Sequence, residues 1–269
     1  MEIIRGQLPK GILHSKIGEQ TYALTRFQPS PKLSPFVQHY WVVQWDVRET
    51  APYLQQVLSH PNVNLIVERD IARIYGVSRT TSTRLIEDHG WVVGVKFKPG
   101  GFYPFWHKPI SELTDHSISF EDVFGEDDSS LRAAIFAMES LESAVQLVES
   151  RLAAVIERLP GIDSDMLLVS ELVANIQADR SMMKVDDVVQ RTGMHIRKLQ
   201  RLFDRYVGVS PKWVIQRYRL HEAAASMEQG EATDWSKFSL DLGYYDQSHF
   251  IRDFKAIIGR SPEDYVRKV

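Results

Sequence analysis

The sequence predicts a multidomain protein: a mostly-β N-terminal half, an amphipathic helical linker, and an all-α C-terminal half carrying two helix-turn-helix units. Three observations predict it. Short alternating or β-branched segments separated by Pro and Gly fill the chain up to about Asp128. Apolar residues at spacings of three and four then run from Leu131 to Leu159. Beyond Pro160-Gly161 the chain repeats itself at an offset of 51 residues. The predicted division is therefore 1–128, a β-rich sensing or dimerising domain; 129–162, the linker; and 163–269, the double helix-turn-helix domain.

Composition narrows the function classes before any motif is read. The 269 residues are 43% hydrophobic and 25% charged, which is the balance of a well-cored soluble protein. No run approaches the roughly 18–20 apolar residues of a membrane span. The opening MEIIRGQLPK has no apolar core with a cleavage site behind it, so a cytoplasmic location is expected. Cysteine is absent, which excludes disulfides, thiolate zinc sites, iron–sulfur clusters and cysteine nucleophiles.

In the first half, Val37 to Trp45 alternates, with Val37, His39, Trp41, Val43 and Trp45 on one face and Gln38, Tyr40, Val42 and Gln44 on the other. Val63–Val67, Ile71–Tyr75 and Trp91–Phe97 are further strands, and Pro99-Gly100-Gly101 is a turn. Trp41, Trp45, Trp91, Tyr103 and Trp106 are candidates for an aromatic-lined effector pocket. The alternative is that these aromatics are core and rim, as buried tryptophans usually are. No metal site is expected, because His39, His60, Glu68 and His107 contain no His-x-His pair with a nearby carboxylate. Nucleophile elbows, phosphate-cradling glycine loops and zincin motifs are missing too, so neither catalytic residues nor a cofactor is expected and the chain reads as a non-enzyme.

The linker stripe of nearly 30 residues fits one helix or two. It would either pack on the strand domain or form a dimerisation seam.

The net charge of −3 conceals an asymmetry. Residues 1–179 hold 16 Lys and Arg against 23 Asp and Glu, while residues 180–269 hold 16 against 12. Arg191 to Arg219 alone carries eight basic residues and a single acid, Asp204. Such a cluster suits either a phosphate-binding surface or a solvated helix face.

The repeat discriminates between them. Leu199-Gln200-Arg201-Leu202-Phe203 recurs as Phe250-Ile251-Arg252-Asp253-Phe254, and Gly208, Ser210 and Pro211 recur as Gly259, Ser261 and Pro262. Gly193 and Gly243 precede the two blocks. Each unit reads as helix, glycine turn, helix, then Gly-x-Ser-Pro. Val185, Val188 and Val189 would pack the first helix of one unit, and Trp235, Phe238 and Leu242 that of the other. Leu199, Leu202, Phe203 and Tyr206 form one buried stripe; Phe250, Phe254 and Ile257 form the other. Arg and Gln on the opposite faces are the side chains that contact guanine and adenine edges bidentately.

These residues carry a resemblance. Arg197-Lys198-Leu199-Gln200-Arg201-Leu202-Phe203, Gly208-Val209-Ser210-Pro211, Arg219-Leu220 with Ala223 and Ala224, and Leu242-Gly243-Tyr244-Tyr245-Asp246-Gln247-Ser248-His249-Phe250 resemble the AraC/XylS family of bacterial transcription regulators. Arg252-Asp253-Phe254-Lys255, Gly259-Arg260-Ser261-Pro262 and Tyr265 extend it, and it covers the last 85 to 105 residues. His195 departs from the family's usual Ser cap, and Val189 and Ser239 replace small Ala positions. The resemblance implies seven helices, with a long helix from Pro211 to Met227 joining two units that enter successive major grooves. By position it implies base reading by Arg197, Gln200, Arg201, Gln247, Ser248, Ile251 and Arg252, and phosphate contacts by Lys198, Arg205, Lys212 and Lys255. The stretches Leu33 to Trp41 and Gly94 to Gly101 resemble the cupin-like N-terminal barrel of one branch of these regulators. The implied partner is double-stranded DNA in the nucleoid, with RNA polymerase, a small-molecule effector and a second copy of the chain as further candidates. The rival readings are a constitutive DNA-binding protein without effector, and a small-molecule-binding or enzymatic barrel with a helical tail.

Overall fold

A computed structural model describes residues 1–4, 11, 13, 21–230 and 235–267. Its N-terminal half contains β1 (Tyr22–Phe27), β2 (Val37–Asp46), β3 (Tyr53–Val57), β4 (Asn64–Val67), β5 (Ala72–Tyr75), β6 (Ser82–Ile86), β7 (His89–Phe97) and β8 (Ser117–Ser119). Six of them form one antiparallel sheet in the order β1-β2-β7-β4-β5-β8, while β3 and β6 pair separately. Short helices α1 (Tyr103–Trp106) and α2 (Phe120–Phe124), then α3 (Asp128–Phe136) and α4 (Leu141–Ile156), follow the last long strand. The C-terminal half is helical throughout: α5 (Ser164–Ala178), α6 (Val185–Thr192), α7 (Ile196–Tyr206), α8 (Pro211–Glu228), α9 (Trp235–Asp241), α10 (Gln247–Ile258) and α11 (Pro262–Val266).

The alternation along β2 is present, but the aromatic face is not the core. Tyr40 and Val42 are fully buried and pack with Val93, Val95 and Phe97 of β7, Leu65 and Val67 of β4, and Ile74 of β5. Val37, expected beside the tryptophans, is fully buried, because an irregularity between Val37 and His39 breaks the alternation. Trp41 and Trp45 are half-buried and face a cavity of about 1510 Å³ that lies between the large sheet and the β3–β6 pair. Opposite each tryptophan on β7 stands a glycine: Trp41 pairs with Gly94 and Trp45 with Gly90. A Cβ on Gly94 would lie 1.9 Å from the Trp41 ring, so the missing side chain is the space that the indole occupies.

The expected five-residue aromatic pocket is corrected by this arrangement, for only Trp41 and Trp45 line the cavity. Trp91 packs on Phe136 with ring centroids 4.5 Å apart. Trp106 lies under the Lys108 ammonium, and Tyr103 turns toward the C-terminal half. The last two follow the Pro99-Gly100-Gly101 turn, which carries the chain off the sheet and away from the cavity.

The linker stripe resolves into two helices broken at residues 137–140, where the Ser140 side chain caps α4 by accepting from the Ser143 amide at 3.1 Å. Its apolar face is not a free dimerisation seam. Leu131, Ile135, Ala144, Val145, Val148 and Leu152 are buried in the same core as the sheet. Ser30 and Lys32 tie the other end of the domain to Glu149 of α4 and to Glu157 just past its end.

That core does not stop at the C-terminal half. Met166, Val169, Val173 and Ile176 of α5, Leu199, Leu202 and Phe203 of α7, and Val214 and Ile215 of α8 belong to it without a break. The second helix-turn-helix unit has a separate core of Leu220, Ala223, Phe250, Phe254, Ile258 and Tyr265, to which Leu13 and Leu58 are added from the N-terminal half. The first unit is thus packed into the interior of the strand domain, and the second largely on its own.

Candidate nucleic-acid interface

Both units are built by the same local chemistry. In the first, α6 ends at Gly193, which takes the left-handed conformation (φ 66°) that side chains with a Cβ disfavour. α7 then starts behind His195, whose Nδ1 accepts from the Arg197 amide at 3.2 Å. The histidine therefore does the work of the Ser found in the family pattern. In the second, Gly243 turns at φ 80°, and the Asp246 carboxylate accepts from the His249 amide at 2.7 Å to start α10. The side chain of Trp235, expected to pack α9, lies outside the described residues.

Each second helix buries one stripe and exposes another. Leu199, Leu202, Phe203 and Tyr206 are buried, whereas Arg197, Lys198, Gln200, Arg201, Asp204 and Arg205 are exposed. On α10 the buried stripe is Phe250, Phe254 and Ile258, one residue later than expected at its end. Ile257 is half-buried, and its carbonyl accepts from the Thr81 amide. Ser248, Arg252 and Lys255 are exposed at spacings of four and three, so they share a face, with half-buried Gln247 and Ile251 along its edge. Ile251 also packs against the second core, which leaves it an edge contact rather than a reaching one. Lys212 is exposed at the start of α8, beside the Ser210 cap.

The basic cluster divides by role. Arg197, Lys198 and Arg201 face solvent on α7, but Arg217 and Arg219 are buried in α8. Arg217 donates to the carbonyls of Ser78 and Arg79 at 3.0 and 2.7 Å and lies over the Trp213 ring. Arg219 pairs with Glu222 at 2.7 Å and donates to the carbonyls of Ile176 and Asp179 at 3.0 and 3.1 Å, satisfying the C-terminal end of α5. Arg191 pairs with Asp179 at 2.6 Å. Arg205 donates from Nε to the Tyr103 hydroxyl at 2.8 Å. The eight positive charges counted in sequence are therefore not one surface. Neither buried arginine could have been told from a phosphate ligand by composition.

Residues 188–268 match a model described as a helix-turn-helix domain, and residues 25–119 match a domain of unknown function, DUF6597. The HTH-type transcriptional activator AarP of Providencia stuartii is 31% identical over 101 residues, which are 36% of this chain and 73% of that protein. The chain belongs to the AraC/XylS family of transcriptional regulators. Another relative, an uncharacterized HTH-type transcriptional regulator of Haemophilus influenzae, is 26% identical over 105 residues; these span 39% of this family member and only 35% of that protein. The crystal structure of ToxT from Vibrio cholerae O395 aligns over 92% of the chain and 98% of its own length, at 11% identity and a TM-score of 0.39. Among the described residues no helix is long and apolar enough to cross a membrane, and no group of three His, Asp or Glu side chains is placed to hold a metal ion.

Proposed function

We propose that the chain is a sequence-specific DNA-binding transcription regulator that sets α7 and α10 into successive major grooves. The observation that carries this reading is the repetition: two helices, each behind a left-handed glycine and a side-chain cap, each with an exposed Arg and Gln or Ser row opposite its buried stripe. Arg197, Gln200 and Arg201, and Gln247, Ser248, Ile251 and Arg252, read base edges. Lys198, Arg205, Lys212 and Lys255 hold phosphates and fix register. The N-terminal half modulates this binding through a small effector, and the domain limits are 1–128, 129–162 and 163–269. RNA polymerase and a second copy of the chain are further partners, the site of action is the cytoplasmic nucleoid, and the protein has no enzymatic role.

Selection of bound sequences from a random duplex pool by the full chain tests the reading. The expected product is a motif with two half-sites about one helical turn, roughly 10 bp, apart. Recovery of unenriched DNA overturns it. The cavity beneath Trp41 and Trp45 favours an effector over constitutive binding, and a metabolite library that leaves the melting temperature unmoved would favour the constitutive alternative.

A further inference from the structure

We infer that Tyr245 is a DNA-contacting residue of the second helix-turn-helix unit, its hydroxyl donating to a backbone phosphate that flanks the half-site read by α10. The inference rests on the reading of α10 as a recognition helix. It adds to that helix a neutral side chain outside the predicted set of DNA contacts.

The two units differ at the turn. Three steps lead from Gly193 to Ile196, the first residue of α7, whereas four lead from Gly243 to Gln247, the first residue of α10. The second turn therefore runs Gly243-Tyr244-Tyr245-Asp246 where the first runs Gly193-Met194-His195. Tyr244 takes the inward place that Met194 holds in the first unit. It is buried, with its ring centroid 5.3 Å from those of His249 and Phe250, and its amide donates to the Ser239 carbonyl at 3.0 Å. Asp246 takes the capping place of His195. The additional residue, Tyr245, is left with neither task.

Its side chain is 90% exposed, more than any other large hydrophobic side chain among the described residues. A phenol ring left in water gains the fold nothing by burial. Its backbone is nevertheless held on both sides, by buried Tyr244 and by the Asp246 cap, so the ring projects from a fixed root.

Where it projects follows from the unit. A recognition helix enters the major groove by its N-terminal residues. Gln247 and Ser248, the first base readers of α10, follow Tyr245 by two and three residues. Tyr245 thus stands at the rim of the groove, where the phosphates run, and tyrosine hydroxyls are among the donors that fix register there. The neighbouring charges favour a neutral donor. Asp241 and Asp246 are exposed on either side of Tyr245 along the chain, and would draw a Lys or Arg at this position into ion pairs. A phenol donates without such pairing, and it positions the helix without the counterion release that raises affinity for all DNA.

The test uses the full chain and the duplex it selects from the random pool, with fluorescence anisotropy as readout. Tyr245→Phe and Tyr245→Ala should each weaken binding about ten-fold, the lower end of what a hydrogen bond to a charged group contributes. The melting temperature should stay at that of the parent, because the side chain is exposed. The slope of log affinity against log salt should not change, whereas Lys255→Ala should make it shallower by about 1. Methylphosphonates placed one at a time around the second half-site should reveal a position that weakens the parent about ten-fold and Tyr245→Phe by less than about two-fold. Tyr245→Ala binding as tightly as the parent overturns the inference. So does full affinity in Tyr245→Phe, which would leave the contact to the ring, or the lack of any phosphate felt by the parent alone. If the parent itself enriches no sequence from the pool, α10 is not a recognition helix and both readings fall. Selective binding by the parent with any of the contrary results removes the tyrosine contact alone.

Discussion

Arg205 and Tyr103 join the two halves of the chain: the guanidinium donates to the tyrosine hydroxyl with Nε at 2.8 Å and lies 4.8 Å from the centre of its ring. Tyr103 in turn packs on Tyr206, whose hydroxyl donates to Asp163 at 2.6 Å. A side chain positioned by family pattern for phosphate is thus held by the N-terminal domain. If Arg205 holds a phosphate as proposed, domain docking and phosphate contact compete for one cation.

Tyr103→Phe removes the acceptor and should free Arg205 for DNA. DNA affinity is expected to rise about two- to five-fold at low salt, with the slope of log affinity against log salt steeper by about 1, one additional phosphate contact. Fluorescence anisotropy across a salt series measures both. Unchanged affinity and slope would mean that Arg205 reaches the backbone while still on Tyr103, or never reaches it.

Arg201→Ala and Arg252→Ala should each cost about 1–3 kcal/mol in binding to the selected site and relax preference at one or two base positions. Repeating the pool selection with each variant shows where preference is lost. Equal loss on all sequences would make these arginines phosphate clamps instead.

How much of this was legible in the sequence follows from how local each feature is. Glycine turns, caps and buried stripes are written within a dozen residues, so the two units could be read directly, down to Gly193, Gly243 and the exposed Arg201 and Arg252. Arg217 and Arg219 could not, because their carbonyl partners at Ser78, Arg79, Ile176 and Asp179 lie on other elements. From His39 onward the alternation on β2 separated two faces correctly, but it does not say which one is the core. A signal was present: Trp41 and Trp45 are four apart, as are Gly94 and Gly90, and antiparallel pairing sets each indole against a missing side chain. The linker stripe was equally ambiguous, since an apolar helix face reads the same whether it meets its own domain or a second copy.

Stability should fall in acid through His39. Its folded-state value, about 3, lies below the ordinary 6.5, and Lys96 and Arg26 are the charged groups that lower it after burial. The unfolded chain therefore takes up a proton that the folded chain refuses, and stability present above about pH 6.5 is lost progressively toward pH 3. Lys96, lowered to about 7 from 10.5, acts in a higher window. Between those values the unfolded chain again holds the extra proton, so stability rises with pH from about 7 to 10.5 and the burden is greatest below 7. Urea titrations from pH 4 to pH 9 should show His39→Gln flattening the acid limb and Lys96→Met adding about 1–2 kcal/mol below pH 7. Parallel profiles for variant and parent would place the titrating groups elsewhere.

The two glycines of β7 give a graded test of the cavity floor. A methyl at Gly94 would stand 1.9 Å from the Trp41 indole, whereas at Gly90 its nearest neighbour, the Trp45 ring, is 3.0 Å away. The first cannot be absorbed without rotating Trp41 off β7; the second needs a shift of a few tenths of an ångström. Gly94→Ala should therefore cost about 1–3 kcal/mol, as overpacking does, and change the tryptophan emission of the folded chain. Gly90→Ala should cost less than half as much and leave the emission near that of the parent. Equal effects from both substitutions would show that the indoles rest on the strand loosely, and that the floor is not set by the missing side chains.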